Sequence, residues 1–446
     1  MKTKITLCLC AVVCFFITAN AWAQEPLRIS PDEAVEMALR NNLGLQAVRL
    51  ESSTRQRASS LSWNQFVPSV TVAGTLNHLN EAPMTPLGPG PQWQAIGTVQ
   101  ASLNLNFTMF ENINKLRLDY ETGLISYNKA RLQLERDIRK AYNNMLLLQE
   151  NISLLNESFE AAQRQVDFAE ANFLAGRAPE LTFLQAQVAR ENMRPMLDQA
   201  ENGFRLSQAH FAMLLGLPLV PTGTSNTPFE LIPLQHETQF IPLDVKELIS
   251  QAASGRPDIQ ELRHSILMLE SARKMQRNSL LPNLSLSWSY NPVLLDPWNN
   301  SWTNSNNWRD QGAFSITLGL RLHSLFPFSQ DFQTIRNMDD KITGANTGLA
   351  QMMRGTEIEI YNIVLSLDRI RATAEAQQQT VNLAQRVSAL TEDAFRAGLQ
   401  DLLQVQNAEL ELRQAKVSLL EQQFNYLNGL LDLEYLIGVP FGSLSR

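Results

Sequence analysis

The chain has 446 residues, a formal charge of −7 and 44% hydrophobic residues. That mild acidity, without a basic patch, excludes nucleic acid as a partner on charge grounds. Length alone fits two or three domains at about 150 residues each.

Lys2 and Lys4 lead into an apolar run from Ile5 to Ala19, closed by Ala21-Trp22-Ala23. This is the pattern of a secretory signal peptide spanning residues 1–23. All three cysteines, Cys8, Cys10 and Cys14, fall inside it, so the mature chain is expected to hold neither a disulfide nor a thiolate metal site. Leu9 and Val13 precede Cys10 and Cys14, where a lipid anchor needs a small residue, so neither is read as lipidated. No later segment holds the roughly 20 apolar residues of a spanning helix.

After two helical stretches, the first strands are expected at about 70–77 and 97–107. In the second, Val99, Ala101, Leu103, Leu105 and Phe107 share one face, and Gln100, Ser102, Asn104 and Asn106 the other. The GPGP run from Gly88 to Pro91 between them reads as a turn, because its prolines lack the N–H groups a phosphate loop requires.

A very long helix follows, from about Asn112 to Phe173, some 60 residues or about 90 Å. Its apolar positions fall at Ile138, Ala141, Met145, Leu148, Ile152, Leu155, Phe159, Ala162, Val166, Ala169 and Phe173. Alternating steps of three and four give a period of about 3.5, the mark of a left-handed coiled coil. A second stripe, Leu147, Leu154, Ala161, Phe168 and Ala175, runs beside it, so the helix has neighbours on two sides.

A glycine turn at 174–180, a further helix and a Pro/Gly/Ser/Thr-rich linker at 217–228 complete residues 24–228. Residues 229–446 then repeat the layout. Strands are expected at about 283–291, as LSLSWSY, and 313–323. A long helix over about 330–395 has a looser stripe interrupted by Gly344, Gly348 and Gly355, and a turn lies at 396–401. The run from Phe173 to Gln187 is echoed by that from Phe395 to Glu409, and LLGLPL at 214–219 by LIGVPF at 436–441.

A strand of this kind fits a half-buried soluble sheet. Polar inner faces and tryptophans near the strand ends, Trp93, Trp288, Trp298, Trp302 and Trp308, also fit a membrane barrel with an aromatic girdle. Four strands cannot close a barrel, and an open edge cannot sit in lipid, so a membrane reading requires several chains to share one barrel. The histidines are scattered without ligand spacing, and no nucleophile elbow, HExxH or Walker loop appears. No catalytic residue, cofactor or metal is expected, and the chain is not read as an enzyme.

The leader, tandem layout, paired strands, heptad helices, "FxAG" turns and "LLGLP"/"LIGVP" ends together resemble the TolC family of outer-membrane efflux proteins. The resemblance spans essentially the whole mature chain. It implies an α+β, mainly α membrane protein. Each chain of a homotrimer would give four strands to a shared 12-stranded trimeric β-barrel and long coiled-coil helices to a periplasmic α-barrel. It also implies the outer membrane of a Gram-negative-type cell, outer-membrane lipid, a periplasmic adaptor (membrane fusion) protein and an inner-membrane transporter. The function implied is the passive exit channel of a tripartite efflux pump or type I secretion system. The turns at Gly176, Arg177, Gly398 and Leu399 would contact the adaptor, and the loops around Pro83 to Pro91 and Asn291 to Asp310 would face outside. Where family members often carry aspartates at the periplasmic aperture, this chain has Gln404 and Asn407, with Thr182 and Gln185 in the first copy, and Glu180 and Asp401 nearby. A soluble periplasmic coiled-coil scaffold or adaptor is the alternative.

Overall fold

The computed structural model describes residues 27–85, 88–217, 229–232 and 243–444. The expected leader lies outside these residues, as does the expected linker apart from Leu217. Two compact units emerge: one combines 1–46, 131–248 and 359–446, the other 47–130 and 249–358. This division cuts across the two expected sequence copies.

In the first unit a short strand β1 (Leu27–Ile29) precedes helix α1 (Pro31–Asn41). Ser30 starts α1 with a capping box, its hydroxyl accepting from the Glu33 amide while Glu33 reaches back, and Pro31 occupies a first-turn position. Helix α2 (Leu43–Ser60) leads into the second unit, where strands β2 (Ser69–His78) and β3 (Trp93–Leu105) are joined through a small hairpin of Met84–Thr85 and Gly88–Pro89. Helix α3 (Thr108–Leu174) starts four residues before the expected Asn112, because the Asn106 side chain accepts from the Met109 amide at 3.2 Å. Helix α4 (Glu180–Leu215) follows.

The remaining elements are strand β4 (Phe229–Leu231), helices α5 (Val245–Gly255) and α6 (Pro257–Asn278), strands β5 (Asn283–Tyr290), β6 (Pro292–Leu295), β7 (Trp308–Asp310) and β8 (Phe314–Gly319), and helices α7 (Gln330–Arg396) and α8 (Leu402–Ile437). The two long helices both have 67 residues, and the two that follow them both have 36.

The first unit packs on Ile29, Val35, Ala38, Ile138, Tyr142, Met145, Phe211 and Leu215. β1 and β4 pair in parallel over this cluster. Tyr142 is fully buried, and its hydroxyl donates to the carbonyls of Ile29 at 2.9 Å and Ile232 at 2.7 Å, tying α3 to both short strands. Burial and the lost hydration of a phenolate push the Tyr142 hydroxyl up to about 12, so it remains a donor. Gly216 ends α4 at φ +71, and a Cβ there would stand 2.4 Å from the Asn41 carbonyl, so both conformation and space demand glycine.

In the second unit Lys129 of α3 donates to Glu261 at 2.9 Å and lies 2.7 Å from Asp258, both on α6. Arg256 pairs with Asp258 and donates to the buried Thr356 hydroxyl of α7 at 2.8 Å. Burial opposes charge on Lys129, yet the two carboxylates outweigh it and raise its affinity for the proton. Asp258 and Glu261 titrate below their ordinary range for the reciprocal reason.

Candidate functional site

The sheet of the second unit is antiparallel, in the order β2, β3, β5, β8, with β6 and β7 extending it at one end. β5 and β6 form one continuous pairing with β3. Val99 lies opposite Tyr290 and, three residues on, Ile96 lies opposite Val293, so no residue is inserted at the break. β7 and β8 likewise keep one register against β6 and β5. The last strand therefore begins earlier than sequence alternation suggests and ends at Gly319. Leu322 to Leu325 turn into a 3-10 helix where an extended run to His323 was expected. Phe107, likewise, falls beyond the end of β3.

Directly opposed residues in an antiparallel pair project to the same side. Val70, Ala101, Trp288 and Phe314 thus form one apolar column across four strands, with Leu103, Leu286 and Ile316 in the next and Leu105, Leu284 and Leu318 beyond. On the reverse face Ser69, Ser102, Ser287 and Ser315 align. Their hydroxyls pair at 2.8 Å, Ser69 with Ser102, and 2.6 Å, Ser287 with Ser315, and Ser285 donates to Asn104 at 2.6 Å. The register thus separates an apolar sheet face from one laced with hydroxyl and amide groups. β2 and β8 are its edges, and among the described residues neither pairs beyond the sheet.

At the other candidate site, in the first unit, α3 and α7 end in matching turns. Gly176 and Gly398 take φ +69 and +74, and the Arg177 and Leu399 amides donate back to Asn172 and Ala394, the six-to-one bond of a Schellman motif. A shared core of Val166, Ala169, Ala186 and Leu402, flanked by Phe183 and Phe395, holds the two turns together. Gly176, Arg177, Gly398 and Leu399 are all exposed, Leu399 at 79%.

Asp401 caps α8, its carboxylate accepting from the Gln404 amide at 2.9 Å, and Glu180 is the first residue of α4. Both acidic groups sit where a helix N-terminus favours negative charge. Gln404 and Asn407, one turn apart, share an exposed face opposite the buried seam of Leu402, Val405 and Ala408. Gln185 is exposed as well, while Thr182 is half-buried.

Sequence reasoning passed over Glu409, which accepts from the buried Gln165 at 2.8 Å. Burial raises its carboxyl above the ordinary range, against the pull of the Gln165 amide. The signal was a glutamate at the position where the Leu402–Val405 spacing calls for an apolar residue. Among the described residues no group of three His, Cys, Asp or Glu could hold a metal, and no helix is long and apolar enough to cross a membrane. The latter says nothing of the sheet.

Paired hairpins of very long helices joined to a sheet with one apolar and one polar face define the class: channel-type chains that complete a barrel between copies. The model for the outer membrane efflux protein family matches residues 34–217 and 248–439, and the chain belongs to that family. The alkaline protease secretion protein AprF of Pseudomonas aeruginosa is 22% identical over 338 residues, 74% of this chain and 67% of that protein. Nodulation protein T of Rhizobium leguminosarum bv. trifolii is 20% identical over 94% of this chain and 87% of that protein. Among solved structures, the outer membrane channel CmeC of Campylobacter jejuni matches with TM-score 0.75 at 16% identity, covering 92% of this chain and 85% of that one. The outer membrane protein VceC of Vibrio cholerae matches with TM-score 0.73 at 17% identity, covering 92% and 96%.

Proposed function

We propose that three copies of this chain form a passive exit channel in an outer membrane, as one part of an efflux pump or type I secretion system. The observation that carries the proposal is the four-stranded sheet, apolar on one face and hydroxyl-lined on the other, with an unpaired strand at each edge. An open edge costs several kcal/mol per unpaired group in lipid, and three such sheets joined edge to edge leave none. The apolar face meets lipid and the serine columns line water. The matched 67- and 36-residue helix pairs support the reading of residues 24–228 and 229–446 as two copies of one unit, whose hairpins build the periplasmic tunnel.

The exposed turns at Gly176, Arg177, Gly398 and Leu399 are the adaptor contacts, and an inner-membrane transporter supplies the energy. Thr182, Gln185, Gln404 and Asn407 line the aperture as neutral polar groups. The names of the relatives support export as the shared task, since AprF is named for alkaline protease secretion and OpmQ of Pseudomonas putida for pyoverdine export.

Reconstitution in a planar bilayer yields discrete, long-lived conductance steps. A protein that fractionates with the soluble periplasm as a monomer without pore activity sinks the reading and favours the scaffold alternative. Gln404→Asp combined with Asn407→Asp increases cation preference; unchanged selectivity removes these residues from the aperture.

A further inference from the structure

The connection between β6 and β7 carries Trp298 and Trp302, with Trp308 at its end, and the register of the sheet decides on which side they lie. Leu76 opposes Ala95, Ala95 opposes Leu294, and Leu294 opposes Trp308, so Trp308 projects from the same face as the apolar columns. One column further out His78 opposes Trp93, and their rings lie 4.6 Å apart. Trp298 packs edge-on against Trp93 at 5.8 Å, and Trp302 against Trp308 at 5.8 Å. The loop therefore folds back over the apolar face.

Burial agrees with this placement. Leu294 is 0% exposed, whereas Ile316 and Leu318, further along the same face, are 62% and 73% exposed. Between the two regions Gly97, Pro292 and Asp310 interrupt the apolar columns, Pro292 opposite Asp310, whose carboxylate accepts from the Asn291 amide at 2.9 Å and the Gly312 amide at 2.8 Å. A carboxylate on a lipid-side column marks the upper limit of the hydrocarbon band, because a charge below it would be costly. The tryptophans stand just beyond that limit. Two indole N–H groups are already satisfied, Trp302 donating to the Pro297 carbonyl at 2.9 Å and Trp308 to the Trp302 carbonyl at 3.0 Å. Their rings can thus enter the lipid boundary without stranding a donor.

We propose that the Asp296–Asn307 loop is a membrane-interface anchor. It lies outside the barrel, with Trp298 and Trp302, 65% and 52% exposed, seated among the headgroups of the surrounding lipid, and it does not cover the lumen. The patch lies on the same face of the sheet as the apolar columns, directly beyond that interruption, which is what selects the lipid boundary as its occupant. This inference rests on the barrel reading, and the experiment separates the two.

The full-length protein is reconstituted in vesicles carrying phospholipid spin-labelled either at the headgroup or at mid-chain, and tryptophan emission is compared with that of Trp298→Phe and Trp288→Phe. The emission removed by Trp298→Phe is quenched about twofold more by the headgroup label, and that removed by Trp288→Phe shows the reverse order. Quenching of the Trp298 component by aqueous acrylamide but by neither lipid label overturns the anchor while leaving the barrel intact. Loss of lipid quenching for Trp288 as well overturns the barrel. Should Trp298→Phe fail to assemble, Trp302→Phe is read the same way. Single-channel conductance of either variant stays at the wild-type value, and a rise places the loop over the lumen and overturns the proposal.

Discussion

The two 67-residue helices have the same length and opposite surfaces. α3 buries about two residues per heptad from Ile138 onward: Ile138, Tyr142, Asn143, Met145, Leu146, Leu155, Ala162, Gln165, Val166 and Ala169 are all inaccessible or nearly so. α7 buries about one, at Ile335, Ile342, Thr356, Ile360, Val364, Leu367, Ala374 and Val381. The seam α7 leaves uncovered is also apolar, with Tyr361, Leu365, Leu383, Val387 and Leu390 between 48% and 66% exposed. One helix finds its neighbours within the chain; the other presents a coiled-coil face that another copy can cover.

The sharpest way to break this contrast is to charge the open seam. Leu383→Glu with Leu390→Glu is expected to abolish the trimer on native electrophoresis while far-ultraviolet dichroism keeps its helical signal, and an unchanged trimer refutes the assignment. Truncating the closed seam acts on the fold itself. Met145→Ala, at a site with 0% exposure, is expected to lower stability by about 2–5 kcal/mol in denaturant unfolding. Tyr142→Phe removes the hydroxyl donor shared by the Ile232 and Ile29 carbonyls, the latter keeping only the Ile232 amide at 3.4 Å, and costs about 1–3 kcal/mol by the same measurement.

A subtler effect follows from the Lys129 cluster on α3. Asp258 and Glu261 have ordinary values of 3.8 and 4.5, and both are lowered in the fold. Carboxylates that are more acidic folded than unfolded contribute stability above those ordinary values and lose it as pH falls through the folded ones. Lys129, raised in the fold, contributes below its ordinary 10.5 and loses that contribution only at higher pH. Melting temperature should therefore fall below about pH 4.5 more steeply in the wild type than in Lys129→Met. The smallest effect is expected at Gly348, where a Cβ meets nothing within 4 Å. Gly348→Ala stabilises the isolated chain by up to about 1 kcal/mol, and a loss of trimer instead would show that a second copy approaches that face closely.

Much of this was legible in the sequence for local reasons. Alternation of Leu284, Leu286 and Trp288 with serines reads as a two-faced strand because side chains on a strand repeat every two residues. The α3 stripe and the glycines at 176 and 398 read as a seam and its ends because helical period and left-handed turn geometry are properties of short segments. The Asp401 cap was not legible: its partner is a backbone amide three residues away, and nothing in the residue types separates a capping carboxylate from one facing an aperture. Nor was the end of the fourth strand, because Leu320 and Leu322 keep the alternation after pairing has stopped at Gly319.

By itself, then, the sequence determined which residues form two-faced strands, where the long helices run and turn, and that four strands need outside company to be closed. Tertiary structure decided the register that lines Ser69, Ser102, Ser287 and Ser315 into one polar column, the continuity of strands through Pro292 and Gly312, and the folding of Trp298 onto the apolar side. The reason is range. Periodicity is written in neighbours a few residues apart, whereas register joins Ser102 to Ser287, and a slip of one residue would turn every side chain to the other face.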